Sequence, residues 1–505
     1  MNADTFTREF DRGPSERRAE SSFWFSLCFY LLLFFLCYVA YRNVVNNYLF
    51  NDDFLWLSSA RYEMEFGNLF TYRVIGFFRP LINLSFFIME KVAPGNIPQY
   101  YYQNIFIHYL NSILVFHLIL SLLNNRTVAA TTAVFFVVAS FHTGAVMWIS
   151  ARTTLISTLL LLSSLVLLTR QAPSRKTLIF SLILFVLALL AKETAVVGVP
   201  LVGLLYLFFR TKDNPTFYLR ALLSFTAITL IYLIVRSAVI GTFVQSNWAP
   251  GAHVAQNIIG GGVYQLLPWV AETLLIVSQK YLSVGKPVVA TTITSATHPI
   301  WPEILIVPQL LLLTLVAWKA KKLRKMLFAI TWMFVCLVPS SFLTFRFLTI
   351  NSFAHDRYYY LSSMGACLAM VLVLAPLWES KRIKKIGTVI ATVVLFVVFS
   401  SEALRLKYME RKWERTTMGA RRGTMAVIQR LDQLESFTTC AVENPPLKFR
   451  YFKNAILLER PGWNIVHITN GQAEALQHQP CVYLKFEIRD RQVYMQTIRL
   501  DGPSQ

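Results

Sequence analysis

The sequence predicts an all-α polytopic membrane protein of about eleven spans plus interfacial helices, with a small α+β extracytoplasmic C-terminal domain. Three observations predict it. Of 505 residues, 55% are hydrophobic and only 15% charged, with a mean hydropathy of +0.48. Apolar runs repeatedly reach the roughly 20 residues that cross a bilayer. The Lys and Arg behind the net charge of +21 fall largely in short loops between those runs, where the positive-inside rule puts them on the cytoplasmic face. The charge therefore reports orientation, and a nucleic-acid partner is not implied.

Residues 1–21 are polar and without apolar periodicity, which predicts a disordered cytoplasmic tail. Ser22 to Tyr41 is too long for a signal-peptide core and reads as a retained span. It opens the membrane domain, residues 22–402, whose first outer loop covers 43–100. Within that loop Phe77 to Ala93 contains Arg79, Pro80, Asn83 and Glu90, which predicts an amphipathic helix along the interface. Spans are then expected at Tyr101–Leu123, Val128–Trp148, Thr153–Leu168, Leu178–Leu190, Val196–Phe209 and Phe217–Ile240. Val263 to Leu282, with Pro268, Glu272 and Gln279, reads as a second interfacial segment. Ile304–Trp318 ends in the basic cluster Lys319 to Lys325, and Met326–Phe345, Tyr358–Leu377 and Ile386–Phe399 complete the set.

Parity places residues 403–505 outside, although Arg405, Lys407, Arg411, Lys412 and Arg415 follow the last span; long terminal domains translocate largely regardless of charge. This domain reads as a basic helix to about Leu434, then strands at Val482–Ile488 and Gln492–Leu500. Cys440 and Cys481 bracket its polar stretch and are disulfide candidates in a non-cytoplasmic compartment. Cys28, Cys37, Cys336 and Cys367 lie in apolar runs and read as small core residues.

On this topology one face of the membrane collects the polar residues that need a reason. Asp52 and Asp53 lie in the first loop, and Arg79, His142, Lys192, Glu193, Arg346, His355, Arg357 and Tyr358 fall on the same side. An acid there can accept a proton from a hydroxyl acceptor, and guanidinium groups can bind a lipid-linked phosphate through charge-assisted bonds. Each residue has a plainer reading. The Asp pair can cap a helix, Lys192 and Glu193 can form an ion pair at a helix junction, and Arg79 with Pro80 can shape a turn. His142 can be packed, and the tyrosines can be an aromatic belt. No His, Cys or carboxylate set repeats at metal-ligand intervals, so a divalent metal is not supported by the spacing. No nucleotide-binding loop or nucleophile elbow is present in the sequence.

The runs RPLINLSFFIME (79–90), YYQNIFIHYLNSILVFHL (101–118), FHTGAVMWISARTTLIS (141–157), AKETAVVGVPLVGLLYLF (191–208) and HDRYYYLSS (355–363) resemble the blocks of the GT-C glycosyltransferases. They are most similar to the branch of transmembrane O-mannosyltransferases with tetratricopeptide repeats and its bacterial relatives, in the same order over roughly residues 22–400. The resemblance implies a polyprenyl-phosphate sugar donor, an inverting transfer on the outer or lumenal face, and a general base at Asp52, with Asp53 beside it. It also implies that Arg357 faces the donor phosphate; Arg346 and Lys192 are candidates to join it there, and Arg79, His142, Glu193, His355 and Tyr358 are candidate substrate-binding residues.

Two departures accompany it: Gly144 stands where relatives often carry an acid, and Tyr359 and Ser362 stand where relatives read leucine and proline in RYLYLPS; no tetratricopeptide repeat follows downstream. The implied activity is hexosyl or pentosyl transfer to a glycan, lipid or protein hydroxyl by a multi-pass protein of a bacterial inner membrane, the alternative being the endoplasmic reticulum membrane. A lipid-linked glycan transporter or flippase and a non-catalytic assembly scaffold are the other classes. Related halves with broken midplane helices would mark the former.

Overall fold

The computed structural model describes residues 14–170, 174–209, 215–242, 322–341, 356–379 and 384–432, single residues 254, 258 and 265, and five segments of the C-terminal region (439–443, 449–459, 464–467, 481–489 and 492–500). Helix α1, Pro14–Tyr41, is the first span. It begins inside the stretch expected to be a disordered tail. A proline at the first helical position is preorganised for the turn, and the charged residues after it are good helix formers. Phe29, Leu33 and Cys37, four residues apart, are buried against the bundle, while Trp24, Leu31 and Phe35 stay exposed as on a lipid-facing surface. Cys28 lies on that exposed face, not in the core as its apolar surroundings suggested, because α1 packs on one side only.

A 3-10 turn, Arg42–Asn46, leads to Asn51, whose φ of 44° turns the chain sharply into α2, Asp52–Tyr62. Asparagine tolerates this region better than most residues. The two Asp side chains occupy the first turn, where the helix dipole favours negative charge. Helix α3, Pro80–Val92, starts at a proline and buries Ile82, Phe86 and Met89 against α2 and the following helix. Trp56 of α2 stacks on Phe86 with ring centroids 5.1 Å apart. The buried polar residues of α3, Asn83 and Glu90, tie it to its neighbours. Asn83 donates to Leu69 O and Tyr72 O, and Glu90 accepts from Arg61 at 3.0 Å and from the Tyr100 hydroxyl at 2.8 Å.

Helix α4, Ile97–Leu123, and helix α5, Arg126–Val138, form a tight hairpin. Asn124 ends α4 in the left-handed region, and the Asn125 side chain caps α5 by accepting from Val128 N at 3.0 Å. The span expected to run unbroken from Val128 to Trp148 is instead broken. After Val138 the chain bends by 57° into a 3-10 turn, Ser140–His142, and the short helix α6, Thr143–Val146. The bend takes Ser140 N out of the helical ladder, and a buried carboxylate oxygen of Glu402 receives it at 2.7 Å. That bond makes an interior break tolerable.

Helices α7, Arg152–Leu168, and α8, Arg175–Ala191, pack antiparallel, tied by Ser164 to Ser181 and by Ser157 to Ala188 O. Then come a 3-10 turn, Glu193–Val197, and helices α9, Gly198–Phe209, α10, Pro215–Ile240, and α11, Leu323–Ser341. A 3-10 turn, Asp356–Tyr359, precedes α12, Ser363–Glu379, so the expected span from Tyr358 starts a turn later. Six of the described helices are long and apolar enough to cross a membrane, or seven if the bent pair is one span. The expected interfacial segment at Val263–Leu282 and the span at Ile304–Trp318 lie outside the described residues.

Helix α13, Lys384–Asp432, unites the last expected span and the basic helix beyond it. Its 49 residues extend about 74 Å at 1.5 Å per residue, more than twice a ~30 Å hydrocarbon core. Its second half therefore projects from the membrane. There the strands β1, Thr439–Glu443, β2, Asn464–His467, β3, Cys481–Arg489, and β4, Gln492–Leu500, form a sheet of order β2-β1-β3-β4, with helix α14, Phe449–Glu459, between β1 and β2. β1 is parallel to β2 and β3, and β3 is antiparallel to β4. Val427 and Leu431 of α13 share a small core with Val442, Phe452, Ile456, Ile465 and Leu484. Cys440 sits in that core in register with Val482; the side chain of Cys481 lies outside the described residues.

At the crossing of α11 and α12, Gly365 brings the two helices to contact. A Cβ there would meet Ala329 O and stand 2.9 Å from Met333 N, both of them backbone atoms. Small residues allow this approach in membrane bundles. Gly365→Leu is expected to lower stability in detergent by about 1–3 kcal/mol, read as a fall in thermal unfolding midpoint.

Candidate active site

The first loop is fastened to the loop before α7 by one buried carboxylate. Asp53 is fully buried, and its two oxygens accept from Phe50 N at 3.0 Å and Ser150 N at 2.7 Å. Burial pushes its pKa up to about 7; the two backbone bonds pull it back, and the neighbouring Asp52 charge adds to the rise. Trp148 closes the same junction by donating its indole N–H to Phe50 O at 3.1 Å, and Tyr101 donates to Tyr48 O at 2.9 Å.

Asp52 stands one residue along the helix and faces the other way. It is half-buried, and its Oδ1 accepts from the Tyr451 hydroxyl of α14 at 2.9 Å. The two adjacent acids thus have separate surroundings, one closed in by backbone donors and one at a boundary between the membrane domain and the C-terminal region.

Arg357 reaches this junction from the 3-10 turn before α12. Its guanidinium lies 4.1 Å from the centroid of the Trp148 ring and donates to the Tyr358 hydroxyl at 3.1 Å. The Asp52–Asp53 turn, Trp148 and Arg357 are therefore linked by successive contacts: Asp53 to Ser150, Trp148 to Phe50, and Arg357 over Trp148. Acids near the amino end and an arginine some three hundred positions later meet at one side of the fold.

Arg357 also lines a cleft together with Thr154, Ser157, Lys192, Ser340 and Tyr358. Lys192 is buried at the junction of α8 and the next turn and donates to Thr154 Oγ1 at 2.7 Å. Burial pushes its pKa down to about 7, with the Arg79 and Arg357 charges adding to the fall and Glu193 opposing it. Lys192, Arg357 and several hydroxyl groups share this lining with apolar residues such as Leu161, Val197 and Leu361, and the cations with the hydroxyls suit an anionic, oxygen-rich ligand.

The other expected residues divide differently from the sequence reading. Glu193 pairs with Arg79, not with Lys192: Nε and Nη2 of Arg79 donate to its two oxygens at 3.0 and 2.7 Å. The fork geometry of a guanidinium matches a carboxylate where an ammonium does not, and this pair pins α3 to the α8–α9 junction. His142 is fully buried. The Ser363 hydroxyl donates to Tyr360 O, so its oxygen accepts from His142 Nε2 at 2.7 Å. With Thr143 donating to Asp356 at 3.1 Å, His142 locks the broken α5–α6 segment onto the turn that carries Arg357. Tyr358 lines the cleft, while Arg346 and His355 lie outside the described residues. Among the described residues, no three His, Cys, Asp or Glu side chains converge as metal ligands.

Sequence reasoning missed Glu402 and Tyr451. An acid directly after the apolar run ending at Ser401 was a signal for the first; nothing in the tail distinguished the second.

No family model and no curated protein matches the chain. Solved structures do. The archaeal oligosaccharyltransferase AglB from Archaeoglobus fulgidus, in complex with an inhibitory peptide and a dolichol-phosphate, aligns with a TM-score of 0.51 at 10% identity. The alignment covers 88% of this chain and 64% of that one, so the chain spans under two thirds of the length of AglB. ArnT from Cupriavidus metallidurans in the apo state aligns with a TM-score of 0.51 at 11% identity over 94% of this chain and 98% of that one. The chain shares the fold of these two proteins. ArnT bound to undecaprenyl phosphate aligns at 0.49, with 12% identity over 95% of this chain and 99% of that one.

Asp53 carries a sharp expectation. Asp53→Asn replaces one acceptor oxygen by a donor facing a backbone N–H, which should cost about 1–3 kcal/mol at acid pH. A carboxyl whose folded pKa is raised contributes most stability below the ordinary carboxylate range and loses it as pH rises toward about 7. The advantage of the unaltered protein over Asp53→Asn should therefore shrink from about pH 4 to pH 7 and stay level above, followed by thermal unfolding in detergent.

Proposed function

We propose that this protein is a membrane glycosyltransferase that moves a sugar from a polyprenyl-phosphate donor to a hydroxyl acceptor on the outer face of the membrane. The observation that carries the reading is the meeting of the Asp52 turn and Arg357 across Trp148, beside a cleft walled by Lys192 and hydroxyl groups. The GT-C fold supports it, as do the bound dolichol-phosphate of the AglB complex and the undecaprenyl phosphate of ArnT. The order of the sequence blocks favours kinship with the transmembrane O-mannosyltransferase branch.

Asp52 is the general base, since it is the acid of the pair whose oxygen meets another hydroxyl, whereas both oxygens of Asp53 are spent on backbone donors. It takes the proton of the acceptor hydroxyl as the acceptor oxygen attacks the anomeric carbon. The bond from that carbon to the phosphate oxygen breaks, and polyprenyl phosphate leaves. Arg357 and Lys192 stabilise the negative charge that gathers on the departing phosphate. Phosphate is a good leaving group, so one carboxylate suffices, and the anomeric centre inverts. Asp53 holds the turn, and the Arg79–Glu193 pair and His142 hold the cations of the cleft.

A reconstituted assay with a panel of polyprenyl-phosphate hexoses and pentoses, reading release of polyprenyl phosphate with mixed glycan, lipid and peptide acceptors, tests this directly. Asp52→Asn should retain donor binding and lose about 10²–10⁴-fold in turnover. Retained turnover in that variant, or no turnover of any donor by folded protein, would remove the enzyme reading.

Lys192 gives an independent pH test. The donor is a phosphodiester whose charge is constant near neutrality, so a change in its binding there reports the protein. With a folded-state value near 7, Lys192 loses its charge as pH rises. Donor affinity is expected to weaken several-fold between pH 6 and 8, and Lys192→Met should flatten that slope. An equal slope in both proteins would exclude Lys192 from the phosphate site.

A further inference from the structure

Helix α14 belongs to the C-terminal region, yet it lies across α2 directly over Asp52. Three contacts hold it there. Ser58 donates to Asn454 Oδ1, Arg61 donates to Leu458 O at 3.1 Å, and the Tyr451 hydroxyl donates to Asp52 Oδ1 at 2.9 Å. Tyr451 and Asn454 are three apart and Leu458 four further on, so one stripe of α14 meets α2 at points from Asp52 to Arg61. Tyr62 adds a weaker bond to Leu458 O at 3.4 Å. The opposite stripe of α14, Phe452 and Ile456, is buried with the sheet and the end of α13. The helix is thus a wall shared between the membrane domain and the C-terminal region.

The chemistry of the Tyr451 contact is specific. A hydroxyl donating to Asp52 Oδ1 is what the proposed reaction requires of the acceptor at the moment of attack. The residue that supplies it is nearly buried, with 6% of its surface exposed. We infer that Tyr451 is a positioning residue that stands in for the acceptor hydroxyl on Asp52 and keeps water from being activated there until an acceptor displaces it. The inference rests on Asp52 being the base.

It follows that α14 forms part of the acceptor site and that acceptor binding shifts this helix. When water takes the acceptor's place, Asp52 accepts one of its protons, the oxygen bonds to the anomeric carbon, and free sugar and polyprenyl phosphate are released. A phenolic hydroxyl on the carboxylate is a poor nucleophile toward a sugar held out of its reach, and it denies that position to water. The device would protect an activated donor against loss when no acceptor is present.

Tyr451→Phe keeps the ring and its packing and removes only the hydroxyl. With each polyprenyl-phosphate sugar of the panel and no acceptor, release of free sugar by this variant is expected to rise about tenfold, the scale of one charge-assisted hydrogen bond. The readout is the ratio of hydrolysis to transfer at saturating acceptor, which is expected to rise. A merely structural role would lower both together. In parallel, Asp52 can be coupled to an amine with a water-soluble carbodiimide and read by mass spectrometry; Tyr451→Phe should raise its labelling several-fold without shifting the unfolding midpoint. Asn454→Ala, which loosens α14 while leaving Tyr451 intact, should raise hydrolysis less.

Unchanged hydrolysis and unchanged labelling overturn the proposal, and so does raised labelling without raised hydrolysis. If Asp52→Asn stays active, the base assignment itself fails. If Asp52→Asn is inactive and the Tyr451 variant hydrolyses no faster, only the shielding role does. Should the panel give no turnover, the shielding role falls with the enzyme reading, and labelling still tells whether Tyr451 covers Asp52.

Discussion

The burial of one carboxylate organises the polar side of this fold. Asp53 has lost all contact with water, and an isolated charge there would be expensive. The expense is met by two backbone N–H groups, from Phe50 and Ser150, that come from opposite sides of the junction and would otherwise be unpaired. The same bonds fix where the first loop sits against the start of α7. Trp148, in between, can then bond to Phe50 O with its edge and offer its face to Arg357. Remove the carboxylate and neither the register of the loop nor the stacking surface for Arg357 is specified.

Other buried charges follow the same logic with different partners. Arg152, fully buried, lies with its guanidinium 4.7 Å from the ring centroids of both Phe86 and Tyr100 and donates to Ser85, Tyr100 O and Gln103. Arg79 takes both oxygens of Glu193, and Glu402 repairs the broken α5 helix. Each of these groups ties together elements distant in sequence and so restrains their relative positions. Lys192 differs. Its bond is to a neutral hydroxyl, and the nearest cationic side chains oppose its charge. A buried ammonium among cations, opening on a cleft, gains most from an arriving anion, which would relieve the repulsion that now lowers its pKa.

The helices were legible because lipid-spanning runs are long and their ends are marked by basic residues and by caps such as Asn96 and Asn125. Loop parity alone set the candidate residues on one face, and the bonds from Ser150 N to Asp53 and from Trp148 to Phe50 join two of the loops that carry them. Contacts across the bundle were not. Glu193 lies next to Lys192 in sequence, and that proximity suggested a pair, yet successive residues point apart and the true partner, Arg79, is more than a hundred residues away. The break after Val138 left no trace in hydropathy, because Ser140 to Val146 is apolar enough to continue the span and the compensating Glu402 lies on another helix. The strands β3 and β4 showed their alternation over nine residues each, whereas β1 and β2, of five and four residues, are too short for a period to register.

The pair Asp52 and Asp53 shows how one sequence feature yields two physical roles. Successive residues of a helix are turned by about 100°, so in the first turn of α2 one carboxylate points into the junction and the other toward α14. Identical side chains thereby acquire opposite environments: full desolvation with backbone donors for Asp53, and partial exposure with a single phenolic donor for Asp52. The rigid acid is what gives the exposed one a fixed position, since the same turn carries both. A base must be held within hydrogen-bond reach of an incoming hydroxyl, and a loop at a membrane surface would not hold it unaided. The buried neighbour supplies that restraint, so on the proposed reaction the doubling of the acid is a division of labour between holding and reacting.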